Sequence, residues 1–363
     1  MTQTAIGVNF PTVLDVSKLF TPDGKQNPYV AQLAQANMNV SVTPFIEGNR
    51  PQGHLSTIEV YSPLPSTAQD NQGINPSFGK DSQSFDAFCM IPDYFEVAET
   101  VAKKFGNVNA YRMTRSLAKI RSMGRKFASL FFYGNITTTP TDINGLSVRY
   151  NHTSTANAAT ATNVISAGGT TVGGQTTIWL VGNSPLGLTG IYPANGEDGA
   201  GGGFYHRDEG LVTLPNASDG NGGTSGRLAV YRDFFRFEGG IGLVDWKQVI
   251  AIRNCDTVDL ATTNPQTNLI FFMQRALAYI PFATGVPPEP GVIMPDPSFW
   301  WYFNRLIRES LGHQLLDTQI SGAGIRQDNL RDPEKFYMHR YEYGSYPVGI
   351  CDVLLNTEAI VNA

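Results

Sequence analysis

Charge is what this chain lacks most. Asp, Glu, Lys and Arg make up 16% of its 363 residues, where globular domains carry roughly 25%. The apolar share, 41%, is ordinary. A large monomer solvates its surface most readily with charge, so two readings follow. Much of the surface is covered by partner chains, since interface cores are depleted in charge. Alternatively, the chain is a Gly-, Thr- and Asn-rich β protein with a neutral polar surface. A net charge of −5 excludes a globally basic nucleic-acid binder but not a local basic face. Cysteine is also scarce. Cys89, Cys255 and Cys351 are far apart and form no CxxC pair. That excludes a disulfide framework and fits reduced structural thiols made in a cytosol. There is no 18-residue apolar run and no charged segment leading into an apolar core. Neither a membrane span nor a signal peptide is expected.

Catalytic motifs are missing as well. The sequence has no HExxH, no GxxxxGK[ST] phosphate loop and no GxSxG elbow. His54, His152, His206, His313 and His339 are never four apart, so no local metal site is expected. The glycines from Gly196 to Gly203 lack a preceding strand and a following lysine, and read as a loop. His206-Arg207-Asp208-Glu209 reads as a solvated loop. No catalytic residue, cofactor or metal is assigned, and the chain is read as a non-enzyme.

What is present is a sequence of distinct regions. Residues 1–45 are poorly periodic, with a short amphipathic piece at Leu14–Phe20 and a turn signal at Thr21-Pro22-Asp23-Gly24. They read as an arm or a loose terminus. Residues 46–92 carry Pro51, Pro63, Pro65 and Pro76 between alternating runs at Thr57–Tyr61 and Ser84–Phe88, the pattern of a long two-stranded excursion. The clearest helix spans about 109–133. Ala110, Met113, Leu117, Ile120, Gly124, Phe127 and Phe131 fall on one face, with Asn109 as N-cap and Gly134 as the C′ residue. At 1.5 Å per residue that is a rod of roughly 37 Å. Residues 195–227 read as a Gly-rich surface insertion. Strands are expected at Ile178–Val181, Phe234–Phe237, Val249–Ile252 and Val348–Leu355, and helices at about 268–280 and 298–311. Trp300, Trp301 and Tyr302 then sit at a helix start, as core or interface or as a sugar-stacking platform.

One charge pattern stands out. From Lys103 to Gly134 every charged residue is basic: Lys103, Lys104, Arg112, Arg115, Lys119, Arg121, Arg125 and Lys126. The helix supplies no acid to pair with them at i, i+4. They face either phosphate backbone without sequence preference or carboxylates on neighbouring segments or subunits.

Several short runs, in order, resemble one family. Phe45-Ile46-Glu47-Gly48-Asn49-Arg50-Pro51-Gln52-Gly53-His54 with Thr57 resembles the entry to the extended loop of a family of tailed-phage major capsid proteins. Phe131-Phe132-Tyr133-Gly134-Asn135 resembles the end of that family's spine helix. Gly145-Leu146, Ile178-Trp179-Leu180-Val181, Gly190-Ile191-Tyr192-Pro193, Asp245-Trp246-Lys247, Ile252–Asp256 and Cys351–Glu358 follow in the family's order. After the Trp-Leu-Val strand the sequence departs, reading Val181–Gly187 where the family has tryptophan-glycine-proline. Ala194 stands where a lysine is common.

The resemblance implies an α+β chain with the Hong Kong ninety-seven type capsid fold. Its parts would be an N-terminal arm (1–45), an extended loop (46–92), a peripheral domain with the spine helix (93–150), an axial domain plus returning strands (151–340) and a C-terminal core strand (341–363). It implies a major capsid protein that self-assembles as pentamers and hexamers into an icosahedral head shell around double-stranded phage DNA. Expected partners are a separate scaffolding protein, a portal and, in some shells, a decoration protein. Assembly would take place in the bacterial host cytoplasm, with no membrane involved. Glu47, Arg50, His54 and Lys80 are the candidate inter-subunit residues of the loop. Arg112, Arg115, Lys119, Arg121, Arg125 and Lys126 are the candidates for DNA or subunit docking. The competing reading is a β-rich phage carbohydrate- or receptor-binding component.

Overall fold

The computed structural model describes residues 37–61, 63–74, 76–104, 106–155, 158–185, 187–193, 203–217, 226–262, 267–280, 298–318, 326–327, 341–343 and 346–361. The expected amphipathic piece at Leu14–Phe20 and most of the Gly196–Gly203 loop lie outside these residues.

The chain enters through helix α1 (Met38–Val42) and strand β1 (Phe45–Glu47). Val40 and Phe45 are buried in the main core, so residues 37–45 belong to the body and not to an arm. A hairpin follows, β2 (Gly53–Tyr61) and β3 (Lys80–Ala87), and then β4 (Cys89–Ala98). Helices α2 (Glu99–Lys104), α3 (Val108–Tyr133) and α4 (Leu146–Arg149) come next. Strands β5 (Val164–Ser166), β6 (Gln175–Gly182), β7 (Leu188–Tyr192), β8 (Phe204–Ala217), β9 (Gly226–Leu243) and β10 (Val249–Asp256) form the middle. The last part holds α5 (Thr257–Leu260), α6 (Leu269–Leu277), β11 (Phe299–Phe303), α7 (Arg305–Thr318), β12 (Arg326–Gln327), β13 (Tyr341–Tyr343) and β14 (Tyr346–Ile350).

Three sheets result. One orders β1-β7-β9-β4, with β8 added to β9. The second orders β12-β13-β14-β11-β6-β10-β5. The hairpin β2–β3 is a sheet by itself. Strand β6 is buried at every position, which its uninterrupted run Thr176–Val181 requires. Neighbours β10 and β11 cover its edges.

The long helix joins the two large sheets. At its C-terminal half, Phe127 packs edge-on against Phe237 of β9 at 4.9 Å. Phe132 lies 6.2 Å from Trp179 of β6 and 6.1 Å from Tyr302 of β11. The helix begins one residue earlier than its periodicity implies. Asn107, not Asn109, is the N-cap, and its Oδ1 accepts the Ala110 N–H at 3.1 Å. Gly134 is not left-handed (φ −55). It is glycine because a Cβ would stand 2.3 Å from the Ile143 carbonyl oxygen. The buried stripe also shifts. Met113 is 44% exposed, and the N-terminal half buries Arg112 and Ser116.

Other expectations change. Phe299–Phe303 is a strand, buried at all five positions. A run of five aromatics satisfies a helical period without being a helix, and bulky aromatics favour the pleated, doubly covered position. Helix α7 starts only after Asn304, whose Oδ1 accepts the Ile307 N–H. Trp300 and Trp301 are core, so they offer no sugar platform. The insertion at 195–227 contributes β8 and the start of β9. His206-Arg207-Asp208-Glu209 therefore lies on a strand and not in a loop. The final strand ends at Ile350.

The C-terminal segment is locked by one buried carboxylate. Glu358 accepts from Tyr133 Oη at 2.6 Å and from Thr177 Oγ1 at 2.5 Å, and lies 3.6 Å from Arg253 Nη2. Its backbone exchanges two hydrogen bonds with Gln175. Burial pushes the Tyr133 phenol up and the Arg253 guanidinium down. Replacing Glu358 with Ala leaves a buried cation unpaired, which should cost about 3–5 kcal/mol in urea unfolding of the soluble subunit. A loss below about 1 kcal/mol would mean that the carboxylate does not hold the segment.

Candidate assembly surfaces

The hairpin is built to project. Its strands pair antiparallel from Gly53↔Ala87 to Tyr61↔Lys80. Gly53 is required at the base, where a Cβ would lie 2.3 Å from the Asp86 carbonyl oxygen. Asn49 fixes the entry: its side chain donates to the Leu55 carbonyl at 2.9 Å and accepts the Leu55 N–H at 2.8 Å. Asp86 anchors the return. Its buried carboxylate accepts from Arg149 Nη2 at 2.6 Å and from the Leu243 N–H at 3.1 Å.

Beyond the ladder the described residues 64–74 and 76–79 are all exposed. Leu64, Ile74 and Phe78 are 91%, 75% and 83% exposed. The four candidate residues do not form one cluster. Glu47 lies on β1 opposite Tyr192. Arg50 and His54 sit at the hairpin base, and Lys80 at the far end of the ladder.

The basic residues of α3 divide in two. Arg112 turns inward. Its Nε and Nη2 reach both oxygens of buried Asp233 at 3.2 and 2.8 Å, and Nη2 also donates to Asp208. Lys119 pairs with Asp93 of β4 at 3.1 Å. These carboxylates, on neighbouring strands, are the partners that the helix itself lacks. Arg112 is thereby removed from the outward candidates. Arg115, Arg121, Arg125 and Lys126 are exposed, with the Arg115 guanidinium 5.6 Å from the Tyr111 ring.

Sequence reasoning missed Asp86, Asp208 and Asp233. A cue existed for Asp233. It shares strand parity with Phe235 and Phe237, so it had to point into the core and needed a cationic partner there. Among the described residues, no group of His, Cys, Asp or Glu could hold a metal ion, and no helix is long and apolar enough to cross a membrane.

The described geometry is thus a body of two sheets clamped by one helix, with a bare hairpin standing out of it. A family model for the major capsid protein GP7 matches residues 21–362. The chain belongs to the GP7 family of major capsid proteins. Across its full length it is similar to a chain of the bacteriophage Epsilon15 structure, with 21% identity, complete coverage of both chains and a TM-score of 0.63. It is also similar to a chain of the bacteriophage JBD30 procapsid, with 10% identity, 90% and 96% coverage and a TM-score of 0.42. A chain of the JBD30 capsid gives 11% identity, 88% and 92% coverage and a TM-score of 0.43. No curated protein matches. As a GP7-type major capsid protein the chain has the phage capsid fold, builds the head shell and is part of the virion capsid. The α+β expectation and the family resemblance therefore both hold.

The inward ion pair makes a test of the helix seat. The Arg112 guanidinium holds the Asp208 carboxyl below its ordinary value. Its contribution is complete above the unfolded value near 3.8 and is lost as pH falls through the lowered folded value. Arg112→Met should cost about 3–5 kcal/mol near neutral pH by stranding Asp233. It should also flatten the loss of stability on acidification below about pH 4. Parent-like stability with an unchanged acid slope, read by thermal unfolding across pH, would contradict this seat.

Proposed function

We propose that the β2–β3 hairpin of each copy lies across a neighbouring copy, and that copies linked in this way form the pentamers and hexamers of the icosahedral shell. The observation that carries this is the hairpin's bareness. A two-stranded ladder is marginal in water without a third strand or a covering layer. Three large apolar side chains at its tip stand in solvent within the subunit, the mark of a surface intended for a partner. The low overall charge fits the same reading, because much of the subunit surface becomes interface.

The exposed side of α3 supports a second element of the proposal. Arg115, Arg121, Arg125 and Lys126 are exposed cations on a helix that carries no acid, suited to packaged double-stranded DNA held without sequence preference. The family adds further partners to the reading: a separate scaffolding protein, a portal and a decoration protein. Assembly in the bacterial host cytoplasm, which the family resemblance implies, is part of the same proposal. No catalytic role is proposed.

Two experiments test these elements. Replacing residues 63–78 with Asn-Gly keeps the ladder but removes the tip. It should leave folded subunits that stay soluble or misassemble, and normal closed shells by negative-stain microscopy would oppose the hairpin proposal. Reversing Arg115, Arg125 and Lys126 to Glu should yield closed shells that lose packaged DNA. If shells fail to close instead, these residues serve subunit docking.

A further inference from the structure

The base of the β2–β3 hairpin meets the body through polar groups. Among the described residues, no side chain of β2 or β3 belongs to either apolar core. His54 pairs with Asp86 and Ser56 with Ser84 across the ladder, so strand alternation puts these four on one face. That face is turned to the body, where Asp86 accepts from the Leu243 N–H of β9. Ser56 and Asp86 are buried, while Phe85 on the opposite face is 52% exposed.

The body contributes Thr189 of β7, fully buried and paired in register with Gly242 of β9. Gly242 keeps a space open between the two parts. A Cβ on it would stand 3.2 Å from Thr189 Oγ1, 3.2 Å from Ile191 Cγ2 and 4.0 Å from Asp86 Oδ2. A hydroxyl of the body and a carboxylate of the hairpin therefore border the same small space.

Hydrogen bonds within the chain do not satisfy this joint. Ser56 Oγ, Thr189 Oγ1 and His54 Nδ1 are buried and have no partner. Buried polar groups are almost always hydrogen-bonded, and three such atoms at one joint need a common partner. The Asp86 carboxylate takes one bond from Arg149 and one from Leu243, and a carboxylate accepts about four.

The chemistry narrows the ligand. It must fit a space left by a missing methyl group, donate to a carboxylate and bond to hydroxyls. An anion is repelled by Asp86. A metal ion is disfavoured because the Asp86 charge is already matched by Arg149 at 2.6 Å, and no second carboxylate lies on this face. Water meets each condition, since a buried water needs two to four polar partners.

We infer that buried water molecules bind between the hairpin base and the β7–β9 sheet. One bridges Thr189 Oγ1 to Asp86 Oδ2 beside Gly242. Another is held by Ser56 Oγ and His54 Nδ1, two residues apart on the same strand face. A water bridge is nearly as good as a direct hydrogen bond. The base is thus fixed directly at Asp86 and through water beside it. The site belongs to the subunit itself and does not depend on where the tip lands.

The test uses the full chain. A map of assembled shells, resolved finely enough to show buried waters elsewhere in the subunit, should show ordered solvent within hydrogen-bond distance of Thr189 Oγ1 and Asp86 Oδ2, and again beside Ser56 Oγ. Thr189→Val keeps the side-chain shape and removes the hydroxyl. With water bound, it should lose the first solvent peak and lower the unfolding temperature of the subunit. In a dry joint the same change removes an unpaired buried hydroxyl and raises that temperature. Ser56→Ala, read in the same way, serves if Thr189→Val fails to fold. Solvent at other buried positions and none here overturns the inference, as does a Thr189→Val subunit more stable than its parent.

Discussion

Phe127, Phe131 and Phe132, at the C-terminal end of the long helix, hold the two large sheets to one another. Phe127 belongs to the β1-β7-β9-β4 sheet through Phe237 and Phe45. Phe132 belongs to the other through Trp179 and Tyr302. All three are buried. Removing one such ring from a closed core costs about 3–5 kcal/mol, so the joint is stiff on the scale of subunit stability. The Glu358 network closes it from the C-terminal side, tying Tyr133 of the helix to Thr177 and Arg253 of the second sheet.

That stiffness is what makes a bare hairpin usable. A capsid subunit must present its contacts at fixed angles, because a closed shell repeats each contact many times. The hairpin leaves the body at Gly53 and Ala87, and Asp86 bonds its return to β9 and to Arg149. Its base is therefore set by the same frame that seats the helix, while Leu64, Ile74 and Phe78 at its tip stand exposed within the subunit. Burial that the subunit leaves undone is available to drive association, as expected where ordering a contact must be offset by apolar area removed from water. The shortage of charge belongs to the same economy, since charged side chains in those interfaces would have to be desolvated.

Much of this was legible in the sequence. The hairpin showed as two alternating runs around a proline-rich span. The helix showed as a 3-4 spacing, although its buried stripe rotates at the N-terminal half because Arg112 reaches inward for Asp233. The order of short family-like runs identified the fold. Other features were hidden by physical ambiguity. Phe299–Phe303 fits a helical period and a buried strand equally well, and only its place beside β6 and β14 decides. Strand β8 was masked by the glycines around it, and its ladder with β9 is a long-range pairing that local composition does not encode. The carboxylates facing Lys119 and Arg112 lie 26 residues before the one and 121 after the other. No i, i+4 rule could find them.

The central claim is that the hairpin is completed by a neighbouring copy. Amide hydrogen exchange across β2 and β3, measured in free subunits and in assembled shells, tests it most directly. The account predicts fast exchange in the free subunit, where the ladder stands alone, and strong protection in the shell. Equal exchange in the two states would contradict it.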